Sequence, residues 1–131
     1  MKNEFIPYEQ ALALKELGFD EPCLGFYNHQ GQLILMTQED ENSIQVYKNS
    51  YVKLGKQYAV PLHQQAFRWF REKYDIIHEI VRKEDRNHRE FIAWVYVENG
   101  KIEVIPYWNA LTYEEVELAC LMKLIEIVKN K

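Results

Sequence analysis

The sequence predicts an α+β fold, in which three helices pack on a mostly antiparallel sheet of about five strands. Three observations carry this prediction. Thr112 and Glu115 form a T-x-x-E capping box before a long apolar segment, which is typical of a helix start. Asn99-Gly100 separates two alternating apolar segments, as in a β-hairpin. Pro61 precedes a segment whose apolar residues recur at helical spacing.

Each of the three helices has its own boundary signal. The first should begin at Pro7 and end before Gly18, because glycine suits the left-handed position just past a helix. The second should run from Pro61 to about Tyr74. The third follows the capping box, and its very wide apolar surface predicts burial by the sheet and by a second neighbour. A chain of 131 residues suits a single domain over 1–131.

Two hairpins are expected, each set by a short turn. A Gln30-Gly31 turn would place Phe26 opposite Leu35. The Asn99-Gly100 turn would place Val95 opposite Val104 on one face, and Trp94 opposite Ile105 on the other. A further strand is expected at 76–81. Residues 39–60 form an uncertain loop or insertion, with room for one or two short strands.

Composition and charge indicate a cytoplasmic protein. No apolar stretch is long enough to span a membrane, and the first residues do not have the pattern of a signal peptide. Two cysteines favour reduced, buried thiols over a disulfide framework.

The net charge is −4, but residues 46–89 carry ten basic residues against five acidic ones. That asymmetry could steer a partner towards the basic segment.

No familiar catalytic or metal-binding motif occurs in the chain. The four histidines do not have metal-ligand spacing, and neither a phosphate-binding glycine loop nor a nucleophile elbow is present. We therefore expect no metal, no cofactor and no catalytic residue. An enzyme with a site near His63, His78 or His88 stays the third of three hypotheses.

The final hairpin supplies the first hypothesis, a non-enzymatic interaction protein. One of its faces should be aromatic, and that face is either covered by another element or exposed as a surface for a partner or a small molecule. A protein partner would be either a different chain or a second copy, which gives a homodimer. The predicted partner-binding residues are Ile92, Trp94, Tyr96, Ile105, Tyr107 and Trp108.

The basic segment 68–89 supplies the second hypothesis, a nucleic-acid-binding module. Basic side chains would contact phosphates, and interleaved rings such as Trp69 and Phe70 could stack on bases. The acidic residues within the segment and the negative net charge weigh against it. The candidate residues are Arg68, Arg71, Arg82, Lys83, Arg86 and Arg89.

Three segments carry a resemblance to a family. They are LGFDEPCLGFY at 17–27, LHQQAFRWFREKY at 62–74 and TYEEVELACLMKLIE at 112–126. Together they resemble a family of small uncharacterised proteins encoded by phages, prophages and mobile elements of gut-type bacteria. The resemblance covers about a third of the chain. It implies a cytoplasmic accessory role in a phage or host cell and supplies no catalytic residue.

Overall fold

The structure is a computed structural model that describes residues 4–36, 38–40, 43–44, 46–51, 56–84, 89–98, 100–103 and 112–131. The chain forms two compact units, Met1–Leu62 and His63–Lys131. The sequence-based prediction of a single domain over 1–131 stays a prediction.

Among its described residues, the first unit has one α-helix, α1 (Tyr8–Glu16), and a three-stranded antiparallel sheet in the order β2 (Leu33–Leu35), β1 (Gly25–Tyr27) and β5 (Tyr58–Val60). Rings of α1 and the sheet pack together, since Tyr8 lies 5.4 Å from both Tyr27 and Tyr58 between ring centroids. A short β3–β4 pair and one turn of 3-10 helix at Asn49–Tyr51 precede β5. The bounds are α1 Tyr8–Glu16, β1 Gly25–Tyr27, β2 Leu33–Leu35, β3 Gln38–Asp40, β4 Ser43–Ile44 and β5 Tyr58–Val60.

The end of α1 confirms the sequence prediction. Gly18 has a φ of 94°, which a side-chain-bearing residue rarely adopts. The amide of Phe19 donates to the carbonyl of Leu14 at 2.9 Å, and the amide of Gly18 donates to that of Lys15 at 3.0 Å. This pair of bonds is a Schellman motif, and it satisfies carbonyls that the helix end leaves open.

The predicted register of the first hairpin is wrong by one residue. Phe26 lies opposite Ile34 rather than Leu35. The cause is the Asn28 side chain, whose Oδ1 accepts from the amides of Gln30 and Gln32 at 2.9 Å. This makes a three-residue loop over 29–31 that ends at Gly31, instead of a two-residue turn.

In the part of the second unit that the structure describes, two helices accompany a three-stranded antiparallel sheet in the order β6 (Ile77–Glu84), β7 (Arg89–Val97) and β8 (Gly100–Glu103). Helix α3 begins as the capping box predicts, since Thr112 Oγ1 accepts from the amide of Glu115 at 3.2 Å. One face of α3 is buried, through Val116, Cys120, Leu121, Leu124 and Ile125. The bounds are α2 His63–Tyr74, β6 Ile77–Glu84, β7 Arg89–Val97, β8 Gly100–Glu103 and α3 Tyr113–Lys129.

The predicted register of the final hairpin is wrong by two residues. Gly100 already pairs with Val97 as the first residue of β8, so the connection comprises residues 98 and 99. Val95 therefore lies opposite Ile102 instead of Val104, and Trp94 lies opposite Glu103 instead of Ile105. A shift of two residues keeps every side chain on its predicted face, because the side-chain period of a strand is two.

The α+β class is confirmed, but the prediction of one sheet of about five strands is wrong. The described strands form two separate three-stranded sheets and the two-stranded β3–β4 pair, because each set pairs with strands of its own unit. The uncertain segment 39–60 supplies β5, whose three residues are buried beside β1. In the described part of the chain, the helices fall short of what crossing a bilayer requires in length and apolar character.

Candidate functional site

Strand pairing sorts the residues of β6, β7 and β8 onto two faces. In an antiparallel pair, directly opposed residues project to the same side of the sheet. Ile77 lies opposite Tyr96, and Tyr96 lies opposite Lys101. In the next row, Glu79 lies opposite Trp94. These five residues project from one side of the sheet, and we call them the open face. Glu103 of β8 holds the register position opposite Trp94, on the same side of the sheet.

The opposite side of the sheet packs against both helices of the unit. The ring of His78 stacks on Phe67 of α2, with ring centroids 3.8 Å apart. The ring of Phe91 meets that of Tyr113 of α3 edge-on at 5.7 Å. Val95, which is the ladder partner of His78, is fully buried. Because α2 and α3 both pack on this side, neither of them covers the open face.

The side chains of the open face are only partly buried. Ile77 is 47% exposed, as are several other large apolar side chains of the described residues to a similar degree. The rings of Trp94 and Tyr96 are half-buried, and Glu79 and Lys101 are exposed. The exposed Ile77 side chain and the two half-buried rings form a small apolar area on this side of the sheet.

A cation lies directly on the aromatic part of the open face. The Nζ atom of Lys101 lies 3.5 Å from the ring centroid of Trp94 and 6.0 Å from that of Tyr96. Such a cation–π contact stabilises a partly exposed ring by about 0.5–1 kcal/mol. Lys101 therefore holds the Trp94 ring in place on the face.

The predicted partner-binding residues fall into three groups. Trp94 and Tyr96 lie on the open face by the strand register. Ile92 projects from the same side of the sheet but is only 4% exposed, so it belongs to packing. The remaining three, Ile105, Tyr107 and Trp108, lie outside the described residues.

Sequence reasoning missed three members of the open face. Lys101 lies on the aromatic face in either register, but only the observed pairing places it beside Tyr96 instead of Glu98 at the turn. Ile77 and Glu79 were missed because the pairing of β6 with β7 is a tertiary relationship. The local signal that could have found them is the alternation of apolar and charged residues along β6.

The described basic candidates do not all lie on one side of the sheet. Arg68 and Arg71 are exposed one turn apart on α2. Arg82 and Lys83 are consecutive in β6, so they project to opposite faces of the sheet. The rings of Trp69 and Phe70 are buried, which removes them as stacking surfaces for bases. Arg86 and the side chain of Arg89 lie outside the description.

A second cluster of polar groups lies at the helices of the same unit. The Nδ1 atom of His63, at the start of α2, lies 3.6 Å from Oε1 of Glu117 on α3. The two side chains are only 9% and 14% exposed. Burial raises the pKa of Glu117, the nearby His63 lowers it, and Glu114 raises it further. Tyr113 and Cys120 flank Glu117 on the same helix face, at helical spacings of four and three residues.

The chemistry of this cluster does not favour catalysis. Burial, with a smaller contribution from Glu117, raises the pKa of the Cys120 thiol to about 12. A thiol that stays protonated at neutral pH is a poor nucleophile. Burial and the charge of Arg71 lower the pKa of His78, which favours its neutral form. The His63–Glu117 pair was missed from sequence because it requires α2 and α3 to be neighbours.

Metal chemistry finds no support in the described residues. Within those ranges, no three or more His, Cys, Asp or Glu side chains are grouped so that they could hold an ion. The structure contains both Cys23 and Cys120 as free, buried thiols.

No protein-family model, no curated protein and no solved structure matches this chain. The resemblance to a phage and mobile-element family therefore stays a prediction from the three sequence segments.

Proposed function

We propose that this protein is a non-enzymatic interaction protein that binds a polypeptide partner through the open face of its second sheet. The observation that carries the proposal is the 47% exposure of Ile77 beside the half-buried rings of Trp94 and Tyr96. Apolar and aromatic side chains of this kind supply most of the binding energy at the centre of protein interfaces.

The charges of the open face favour a polypeptide over a nucleic acid. Glu79 and Lys101 carry opposite charges and lie on opposite edge strands of the sheet. A polyanion would be attracted by Lys101 and repelled by Glu79, whereas a polypeptide can present both charges in return. A partner with mixed charges and an apolar centre therefore fits this face best.

The accessory role in a phage or mobile-element context belongs to the same proposal. It rests on the three segments that resemble a family of such proteins, and it includes a cytoplasmic location. The absence of an activated thiol supports a binding role over an enzymatic one, because the pKa values of both Cys23 and Cys120 are raised to about 12.

Nucleic-acid binding through residues 68–89 remains the alternative function. It is favoured by one observation, the exposure of Arg68 and Arg71 one turn apart on α2. Binding that weakens steeply as salt rises, and that an Arg71→Glu variant loses, would favour this alternative.

Site-specific photo-crosslinking tests the proposed function. A benzophenone amino acid is placed at Ile77 on the open face, or at Met122 on α3 as a control of similar exposure, 50%. We expect position 77 alone to give a crosslinked product of defined mass when the chain is incubated with extract of the host. Excess wild-type chain should compete this product away, and an excess of the Ile77→Glu variant should not. Equal crosslinking from position 122, or none from position 77, would contradict the proposal.

A further inference from the structure

The imidazole of His78 lies at the contact between helix α2 and the second sheet. Its ring stacks on that of Phe67, with ring centroids 3.8 Å apart and ring planes at 15°. On the sheet, the residue opposite His78 is the fully buried Val95, and its diagonal neighbours Ala93 and Val97 are apolar as well. The half-buried imidazole is therefore a polar group in apolar surroundings, held between α2 and β7.

The charged groups around this contact do not favour a proton on His78. On α2, His63 and Arg71 lie one turn before and one turn after Phe67. On β6, Arg82 projects to the same side as His78 but lies four residues further along. The titratable side chains on the packed side of α3 are Tyr113, Glu117 and Cys120. Burial is the larger cause of the lowered pKa of His78, and the charge of Arg71 lowers it further.

We propose that the stack of His78 on Phe67 is an acid-sensitive contact, which holds α2 on the sheet while the imidazole is neutral and releases it when the imidazole is protonated. A proton on His78 would place a cation in an apolar interface, close to the like charge of Arg71. The device is independent of what binds the open face, because His78 projects to the opposite side of the sheet.

The direction of the pH dependence follows from the lowered pKa. The folded chain binds this proton less tightly than the unfolded chain, in which histidine has its ordinary pKa of 6.5. The stability that the neutral ring contributes is therefore complete above pH 6.5. It is lost as the pH falls from 6.5 through the lowered pKa of His78.

Hydrogen exchange of the α2 amides, followed by NMR on the full chain, tests the release. Protection is compared at about pH 7.5 and about pH 5.5, after correction for the intrinsic exchange rate at each pH. We expect the opening constant of α2 to rise several-fold on acidification of the wild type. His78→Phe keeps an aromatic ring against Phe67 but cannot be protonated, so its opening constant should not change. His63 and Glu117 titrate in both chains, so the difference between the two chains isolates His78.

The same substitution at an exposed histidine is the control. His29 lies in the turn of the first hairpin, and His29→Phe should respond to acid as the wild type does. Arg71→Gln removes the like charge beside His78, so it should raise the pKa of the imidazole and reduce the loss of protection. NMR titration of the His78 ring protons measures that pKa directly in both chains.

Three results would overturn the proposal. The first is a wild-type α2 whose opening constant does not change with pH, and the second is an equal rise in His78→Phe. The third is a His78 pKa at or above 6.5, which would mean that the attraction of the cation to the Phe67 ring outweighs the cost of burial. If His78→Phe does not fold, the titration of wild type and Arg71→Gln decides between the same alternatives.

Discussion

The imidazole of His63 and the carboxylate of Glu117 lie 3.6 Å apart and join the first residue of α2 to α3. Burial is the largest influence on the pKa of Glu117 and raises it above its ordinary value of 4.5. The folded chain therefore binds this proton more tightly than the unfolded chain does. The stability that this proton contributes is present below pH 4.5 and is lost as the pH rises through the raised pKa.

The Glu117→Gln variant should not show this loss. We expect the free energy of unfolding of the wild type, relative to that of Glu117→Gln, to fall as the pH rises from 4.5 to about 7. Urea denaturation at several pH values measures it. Glu126→Gln is the matched control, because Glu126 is an exposed residue of the same helix that pairs with Lys123. If the free energy of unfolding of the wild type instead rises with pH relative to that of Glu117→Gln, the raised pKa of Glu117 is contradicted.

The two thiols should be unreactive in the folded chain. Raising the pKa of a thiol from 9.0 to about 12 lowers its thiolate fraction at about pH 8 by about a thousandfold. We expect Cys23 and Cys120 to react with a disulfide reagent at least about a hundredfold more slowly in native than in denatured protein. Mass spectrometry of the labelled chain assigns each site. Rapid labelling of Cys120 under native conditions would contradict its raised pKa and would favour a catalytic role for the cluster of His63, Glu117 and Cys120.

Asn49 should be a main determinant of stability in the first unit. Its Nδ2 donates to the carbonyl of Phe19 at 2.8 Å, and its Oδ1 accepts from the amide of Ala59 at 2.8 Å. Asn49→Ala would leave two buried backbone groups without these partners, at a cost of about 2–4 kcal/mol in unfolding free energy. Ser50→Ala is the control, because Ser50 bonds Asp20 through its backbone amide. Equal effects of the two substitutions on denaturant midpoints would contradict this role.

The N-terminal cap of α3 should contribute less to the free energy of unfolding than the Asn49 side chain does. Thr112→Ala removes the oxygen that accepts from the Glu115 amide, and we expect a loss of about 1 kcal/mol. Thr112→Ser keeps that oxygen and should retain most of the stability. Thermal unfolding of the three chains compares them, and a serine variant as unstable as the alanine variant would argue against the cap.

Sequence alone predicted the features that are encoded locally. The end of α1 at Gly18 and the start of α3 at Thr112 each depend on residues within one helical turn, so both could be inferred. The register of each hairpin depends on which residues form its turn, and the sequence patterns misplaced both turns. In the first hairpin the Asn28 side chain accepts from the Gln32 amide and sets a longer loop. In the final hairpin Gly100 already pairs with Val97 as a strand residue.

The candidate site was predictable only in part, for the same physical reason. Trp94 and Tyr96 alternate along one strand, so their shared face follows from sequence. The neighbours that complete the face, Ile77 and Lys101, come from two other strands and depend on the observed pairing. The division into two three-stranded sheets likewise depends on pairings that no local pattern specifies.

Hydroxyl-radical footprinting tests the central claim, that the open face is a buried contact surface in the working state of the protein. Oxidation of Trp94 and Tyr96 is compared between the purified chain and the chain in extract of the cells that express it, with exposed Met122 on α3 as the internal control. We predict that oxidation of the two rings falls in the extract while that of Met122 stays constant. Oxidation of the rings that is the same in both conditions would contradict the account.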